Sequence, residues 1–212
     1  MKEGFAHVRS DPPTRAMIAL MAATTVFVFP VMVVMLPLYA KNALLLGPDK
    51  MGLLMGISSL GSLTGSVGLL AVSRGNRRRL MLAAALGVVL ALSGLSAAHR
   101  FAVAASCLVL LSLSVSTLIG LSNTIVQERA PALVRGRVSA LASLSFFGLM
   151  PFAGLGITSV ADWVGMRTAV MAGAMAFLGA SMWVLGMGGH PVDQGPTSPT
   201  RMRETRKTMV NR

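Results

Sequence analysis

The chain has 212 residues, of which 54 % are hydrophobic and only 12 % charged, and its formal net charge is +12. A soluble domain of this size needs roughly 25 % charged residues to cover its surface, so a water-facing globular domain is excluded and lipid is the expected solvent. The positive charge must therefore be located along the chain before it is read as a nucleic-acid footprint.

Residues 1–15 are polar with some apolar content, Phe5 and Val8, and read as a cytoplasmic or interfacial segment. They lack the apolar core of a secretory signal. After them come six stretches free of Asp, Glu, Lys, Arg and His: 16–40, 51–73, 80–98, 101–127, 138–161 and 168–189. A helix needs about 20 apolar residues to cross roughly 30 Å of hydrocarbon, and each stretch is too long for a barrel strand of about 10 residues. An all-α bundle of six transmembrane helices is expected, because helices satisfy their own backbone groups in lipid.

The first stretch holds Pro30 and Pro37, which predict a bent helix. Thr24, Thr25 and Phe27 are candidates for lining a substrate cavity. With Phe29 and Tyr39 the aromatics make a wall for an apolar ligand, or else face lipid or core. The second stretch carries Ser58, Ser59, Ser62, Thr64 and Ser66, with two GxxxG spacings, Gly52/Gly56 and Gly61/Gly65. Small residues at that spacing let helix backbones approach closely, so packing is the expected role.

Next comes "SRGNRRRL", residues 73–80, with Arg74, Arg77, Arg78 and Arg79. An Arg at a helix centre costs about 2.5 to 3.5 kcal/mol on the insertion scale, so this cluster stays outside the bilayer. The third and sixth stretches are bland and are expected at the periphery. The fourth is the most polar: at about 100° per residue, Ser112, Ser116, Gly120, Asn123 and Gln127 share one stripe. Such a stripe either lines a water-accessible cavity or bonds neighbouring helices. Both readings stand open. Residues 190–212 are Pro-rich and basic and read as a disordered cytoplasmic tail, solvated or drawn to anionic lipid.

An even number of spans puts both termini on one side. That side carries Lys2, Arg9 and Arg15, the 74–79 cluster, Arg129, Arg135 and Arg137, and five basic residues of the tail. The other side carries Lys41, Lys50, Arg100 and Arg167, so the 19 basic residues divide fifteen to four. By the positive-inside rule both termini are expected to be cytoplasmic in a plasma (inner) membrane. The charge is a topology signal spread over short connections, and no nucleic-acid partner is expected. Cys107 is the single cysteine, no zinc-like Cys/His spacing occurs, and no metal or cofactor is expected. An intramembrane enzyme finds no support, since no His, Asp or Cys pair lies within a span and Ala91-Leu92-Ser93-Gly94 lacks the first glycine of a rhomboid-like motif.

Polarity repeats with a period of three spans: bent or polar, small-residue-rich, bland. Two inverted three-helix repeats follow, the organisation found within one half of a major facilitator transporter. The motifs agree. "PVMVVMLPLYA" resembles the seventh helix of that superfamily, and "EGFAHVRSDPPTRAMIAL" the segment leading into it. "NTIVQERAPALVRGRVSAL" resembles the tenth helix running into a cytoplasmic loop, and "GLMPFAGLGITSVADWVGMRTA" the eleventh helix and its turn. "GLLAVSRGNRRRL" resembles the loop motif G-x-L-A-D-R-x-G-R-[KR]: Gly68, Leu70, Ala71, Gly75 and Arg77 align, while the motif's Asp is Val72 and its first Arg is Ser73.

The chain thus resembles the C-terminal six-helix half of a major facilitator superfamily transporter, nearest the branch of enterobactin exporters and macrolide efflux pumps. The resemblance implies efflux of amphipathic small molecules, drug or siderophore class, by antiport. It implies that spans one and four line the cavity. Gly68, Gly75, Arg77, Arg78, Glu128, Arg135 and Arg137 fall in the cytoplasmic gating loops, and Glu128 and Asp162 are the only acids at helix ends. It also implies a second six-span half: a separate chain, a missing N-terminal half, or another copy. A six-span structural or regulatory subunit, or a non-functional fragment, is the alternative.

Overall fold

The computed structural model describes residues 5, 8–35, 48–98, 100–132 and 134–187. Pro37, Tyr39, Lys41, His99 and the 190–212 tail lie outside the described residues.

Helix α1 spans Pro12–Phe27. Asp11 caps it, accepting from the Thr14 backbone N–H at 3.1 Å, and the prolines behind the cap are pre-set for the first helical turn. The helix therefore starts before the charge-free run and takes Arg15 into its first turns. It breaks at Val28, and Val31–Met35 winds as a π-helix. Pro30 has no N–H to donate, so the regular ladder cannot pass through it.

Helix α2 spans Pro48–Gly68 and tightens to a 3₁₀ turn over Leu69–Ala71. A second 3₁₀ turn, Arg74–Asn76, leads into α3, Arg77–Ala97. Arg77, Arg78 and Arg79 thus sit on the first turn of a helix, not in a loop. Helix α4, Phe101–Arg129, is the longest at 29 residues and ends just before Pro131, whose predecessor is pushed to extended backbone. The fifth span is composite: α5 (Arg135–Ser143), a π-helical segment (Leu144–Gly148) and α6 (Met150–Val164). Gly165, at φ 85° and ψ 152°, makes the reversal into α7, Met166–Met187. A side chain there would be strained.

Among the described residues, six helices are long and apolar enough to cross a membrane: Pro12–Val33, Asp49–Ala71, Arg77–Ala97, Phe101–Arg129, Arg135–Val164 and Met166–Gly186. Among the described residues there is no strand. Helix α4 stands at the centre and touches α1, α2 and α3, while α7 touches α1, α3 and α6. The core takes Met17 and Leu20 from the first span, Met81 and Leu92 from the third, Leu108, Leu111 and Leu118 from the fourth, and Phe177 from the sixth. Phe29 and Phe146 meet edge to face at 4.7 Å, joining the first span to the π-helical segment of the fifth.

The two triads play matching parts. Spans one and four are central, three and six pack on each other, and two and five are the most exposed. Only 17 % and 6 % of the residues in the apolar stretches of spans two and five are buried, against 39 to 50 % in the other four. Within this bundle, spans three and six are therefore not the outermost, contrary to the expectation that they form the periphery. Blandness was a poor guide, because in lipid the driving force for helix packing is shape rather than polarity. The Ala- and Gly-rich third span fits closely: a Cβ on Gly87 would meet the Ser114 side chain, and one on Gly94 would stand 2.7 Å from Cys107 Sγ.

Candidate functional site

Two ion pairs tie the bundle together at the face where spans one, three and five begin. At the end of α4, Glu128 and Arg129 are consecutive and point to different neighbours. Arg77 Nη1 and Nη2 donate to the Glu128 carboxylate at 2.7 and 3.0 Å. Arg129 Nε and Nη2 donate to the Asp11 carboxylate at 3.0 and 3.1 Å. One short stretch of α4 therefore holds both the start of α1 and the start of α3.

The pairs differ in how they sit with the helix dipoles. Asp11 caps a helix N-terminus and Arg129 ends a helix C-terminus, so both charges are favoured there. Arg77 begins α3 and Glu128 lies in the last turn of α4, so each opposes its own helix dipole. The Arg77–Glu128 pair holds because each charge offsets the other's unfavourable end. Burial alone pushes the Asp11 carboxyl up, but the hydrogen bonds from Arg129 and Thr14, with the charge of Arg129, outweigh it and hold the carboxyl below its ordinary range.

Of the other loop residues singled out in the sequence, Arg78, Arg135 and Arg137 have exposed side chains on the same face. Gly68 and Gly75 have open space where a Cβ would stand. Asp162 is exposed near the end of α6, at the opposite face.

The polar stripe on α4 divides. Ser116 Oγ donates to the Ser62 carbonyl at 2.9 Å and lies 2.7 Å from Ser66 Oγ, so it bonds α4 to α2. Gly120 is covered by the Leu69 side chain. Ser112 is buried at 2 % exposure, and its hydroxyl is without a hydrogen-bond partner. Nearer the helix end, Gln127 donates to Asn123 Oδ1 at 3.2 Å along an open face. The stripe is therefore a helix-packing seam in its middle and a polar surface at its end.

In the first span, Thr24 and Thr25 are fully buried, and their hydroxyls donate to the Leu20 and Met21 carbonyls one turn back. They present nothing to a solute in this arrangement. Phe27, in contrast, lines an apolar cleft of about 470 Å³ between the first, fifth and sixth spans, facing Phe152, Gly156 and Gly173. A second cleft, about 430 Å³, lies between Pro30 and Leu155. The fifth span thus stands loosely against the bundle.

The GxxxG expectation also divides. A Cβ on Gly65 would stand 2.6 Å from the Leu113 carbonyl oxygen, and one on Gly61 would collide with the Val109 carbonyl oxygen. Gly52 and Gly56 meet nothing within 4 Å. Their part in packing within this chain is withdrawn, because at about 100° per residue they fall on the opposite side of α2 from Gly61 and Gly65, while Leu54 takes the buried side there.

Sequence reasoning missed Asp11, Arg129 and the cleft. Asp11 carried a readable signal, since Asp-Pro-Pro-Thr is a strong helix start. The cleft carried a fainter one: Ala169, Ala172, Gly173 and Ala176 recur at helical spacing on the span passed over as bland.

Six apolar spans in two matching triads define a multi-pass helical membrane protein. The family model of the Major Facilitator Superfamily matches residues 1–155, and the chain belongs to that superfamily. No curated protein and no solved structure matches the chain.

Proposed function

We propose that the chain forms one six-span wall of a secondary transporter that exports amphipathic small molecules, with a second six-span bundle closing the pathway. Membership of the superfamily supports membrane transport in general. The observation that carries the finer reading is the exposure of span two. The second span is the least apolar of the six, at mean hydropathy 1.5, yet it is nearly unburied. A Ser- and Thr-bearing helix is poorly matched to lipid on all sides, and a second bundle covers it in this reading.

The charge-free interior favours uncharged or weakly ionised solutes, since an intramembrane charge is the usual partner for a charged one. The basic face is cytoplasmic in this reading, and the Arg77–Glu128 pair regulates opening there. The test is accumulation of a fluorescent amphipathic dye in cells carrying this chain, with and without a candidate partner bundle. Lower accumulation only with both bundles supports the reading, and full efflux by the chain as a monomer sinks it. Leu63→Cys in a Cys107→Ala background, at an exposed site on span two, reads whether the covering bundle is a second copy, through a disulfide-linked dimer.

A further inference from the structure

The cleft between the first, fifth and sixth spans has no place in that reading. Its volume, about 470 Å³, lies within the roughly 300–1,000 Å³ of ordinary small-molecule sites, but its chemistry does not match theirs. The lining consists of Val, Phe, Leu, Ile, Ala and Gly only. Sites that select a drug-sized solute place a few polar groups to orient it, and none is offered here. Water is no better suited, since a buried water needs two to four polar partners. An empty volume of this size would forfeit dispersion contacts along its whole wall.

The dimensions point to one occupant. Along α6 the lining runs from Leu149 to Val160, eleven residues at about 1.5 Å each, or about 16 Å. That is close to half of the roughly 30 Å hydrocarbon thickness, one leaflet deep. Just beyond the cleft, in the last turn of α6, Trp163 is 91 % exposed, as suits an indole at headgroup level. Phe27 and Phe152 flank the channel, and Ala169 and Gly173 make a buried floor. We propose that this cleft seats one acyl chain of a membrane phospholipid, from the leaflet on the side where span five ends and span six begins.

Bound there, the chain fills the gap that leaves the fifth span loosely held, so the lipid becomes part of the wall. Gly156 gives a clean way to exclude it. A Cβ there meets nothing within 4 Å, so Gly156→Leu fills the cleft without displacing the backbone. The probe is a phosphatidylcholine with a diazirine near the middle of one acyl chain, level with Ala169 and Gly173 near the start of the sixth span, in vesicles carrying the full-length protein, with adducts mapped by mass spectrometry. Adducts are expected at Ala169 and Gly173 as well as at the exposed Met175 and Met182. In Gly156→Leu the yield at the two floor residues falls about tenfold, as chain methylenes are excluded, while that at the two methionines is unchanged. Val160→Phe, which narrows the mouth from another position, lowers the same two yields. Adducts confined to Met175 and Met182 in the unaltered protein would overturn the proposal and assign the cleft to a covering bundle. Floor labelling that survives both substitutions would overturn it too.

Discussion

Arg77 and Glu128 are 51 residues apart in sequence and joined by two hydrogen bonds of 2.7 and 3.0 Å. Each stands at the helix end that its charge disfavours. The degenerate loop motif has lost its acid at Val72, yet its arginine keeps an acidic partner on the neighbouring helix.

Exchanging the two charges tests this relationship. Arg77→Glu with Glu128→Arg rebuilds the pair and places both charges in favour of their helices, a gain of about 0.3–1 kcal/mol at each end. The double variant is expected to melt at or above the temperature of the original protein in detergent, and Glu128→Gln alone below it. A double variant less stable than Glu128→Gln would rule out the dipole argument.

The Asp11–Arg129 pair predicts an acid-sensitive contact. Because the Asp11 carboxyl is held below its ordinary range, its contribution is fully present above about pH 4, the ordinary aspartate value. It is lost as pH falls through the lower folded value. Thermal melts below about pH 4 should show this loss, and Asp11→Asn should remove its share of the pH dependence. Asp11→Ala also removes the cap of α1 and should cost about 1 kcal/mol more than Asp11→Asn.

The two glycine pairs of the second span should behave differently. Gly65→Leu pushes α2 off the Leu113 carbonyl and is expected to cost on the order of 1–3 kcal/mol, the range for overpacking. Gly52→Leu, in open space, should leave the melting temperature within about 0.5 kcal/mol equivalent of the original. Equal losses from both would place α2 differently from the arrangement described.

Ser116 bridges α4 and α2 through Ser62 and Ser66. Ser116→Ala is expected to destabilise by about 0.6 kcal/mol, the mean for interhelical hydrogen bonds in membranes. Thr25→Ala, whose hydroxyl bonds only within its own helix, should cost less. Urea-free unfolding in mixed micelles would resolve the order.

The sequence by itself determined the six spans, because each charge-free run exceeds the thickness of hydrocarbon and admits only a helix. It also determined the interruption at Pro30, which follows from a missing N–H, and the three-span period. Contact between helices was beyond it. In lipid, apolar side chains gain little by choosing one neighbour over another, so burial follows local fit. That is why the bland third and sixth spans lie against the bundle. Only the tertiary structure brought Arg77 to Glu128 and Asp11 to Arg129, across 51 and 118 residues. The cleft beside Phe27 likewise arises from three helices that meet imperfectly, a property that belongs to their arrangement and to no one of them.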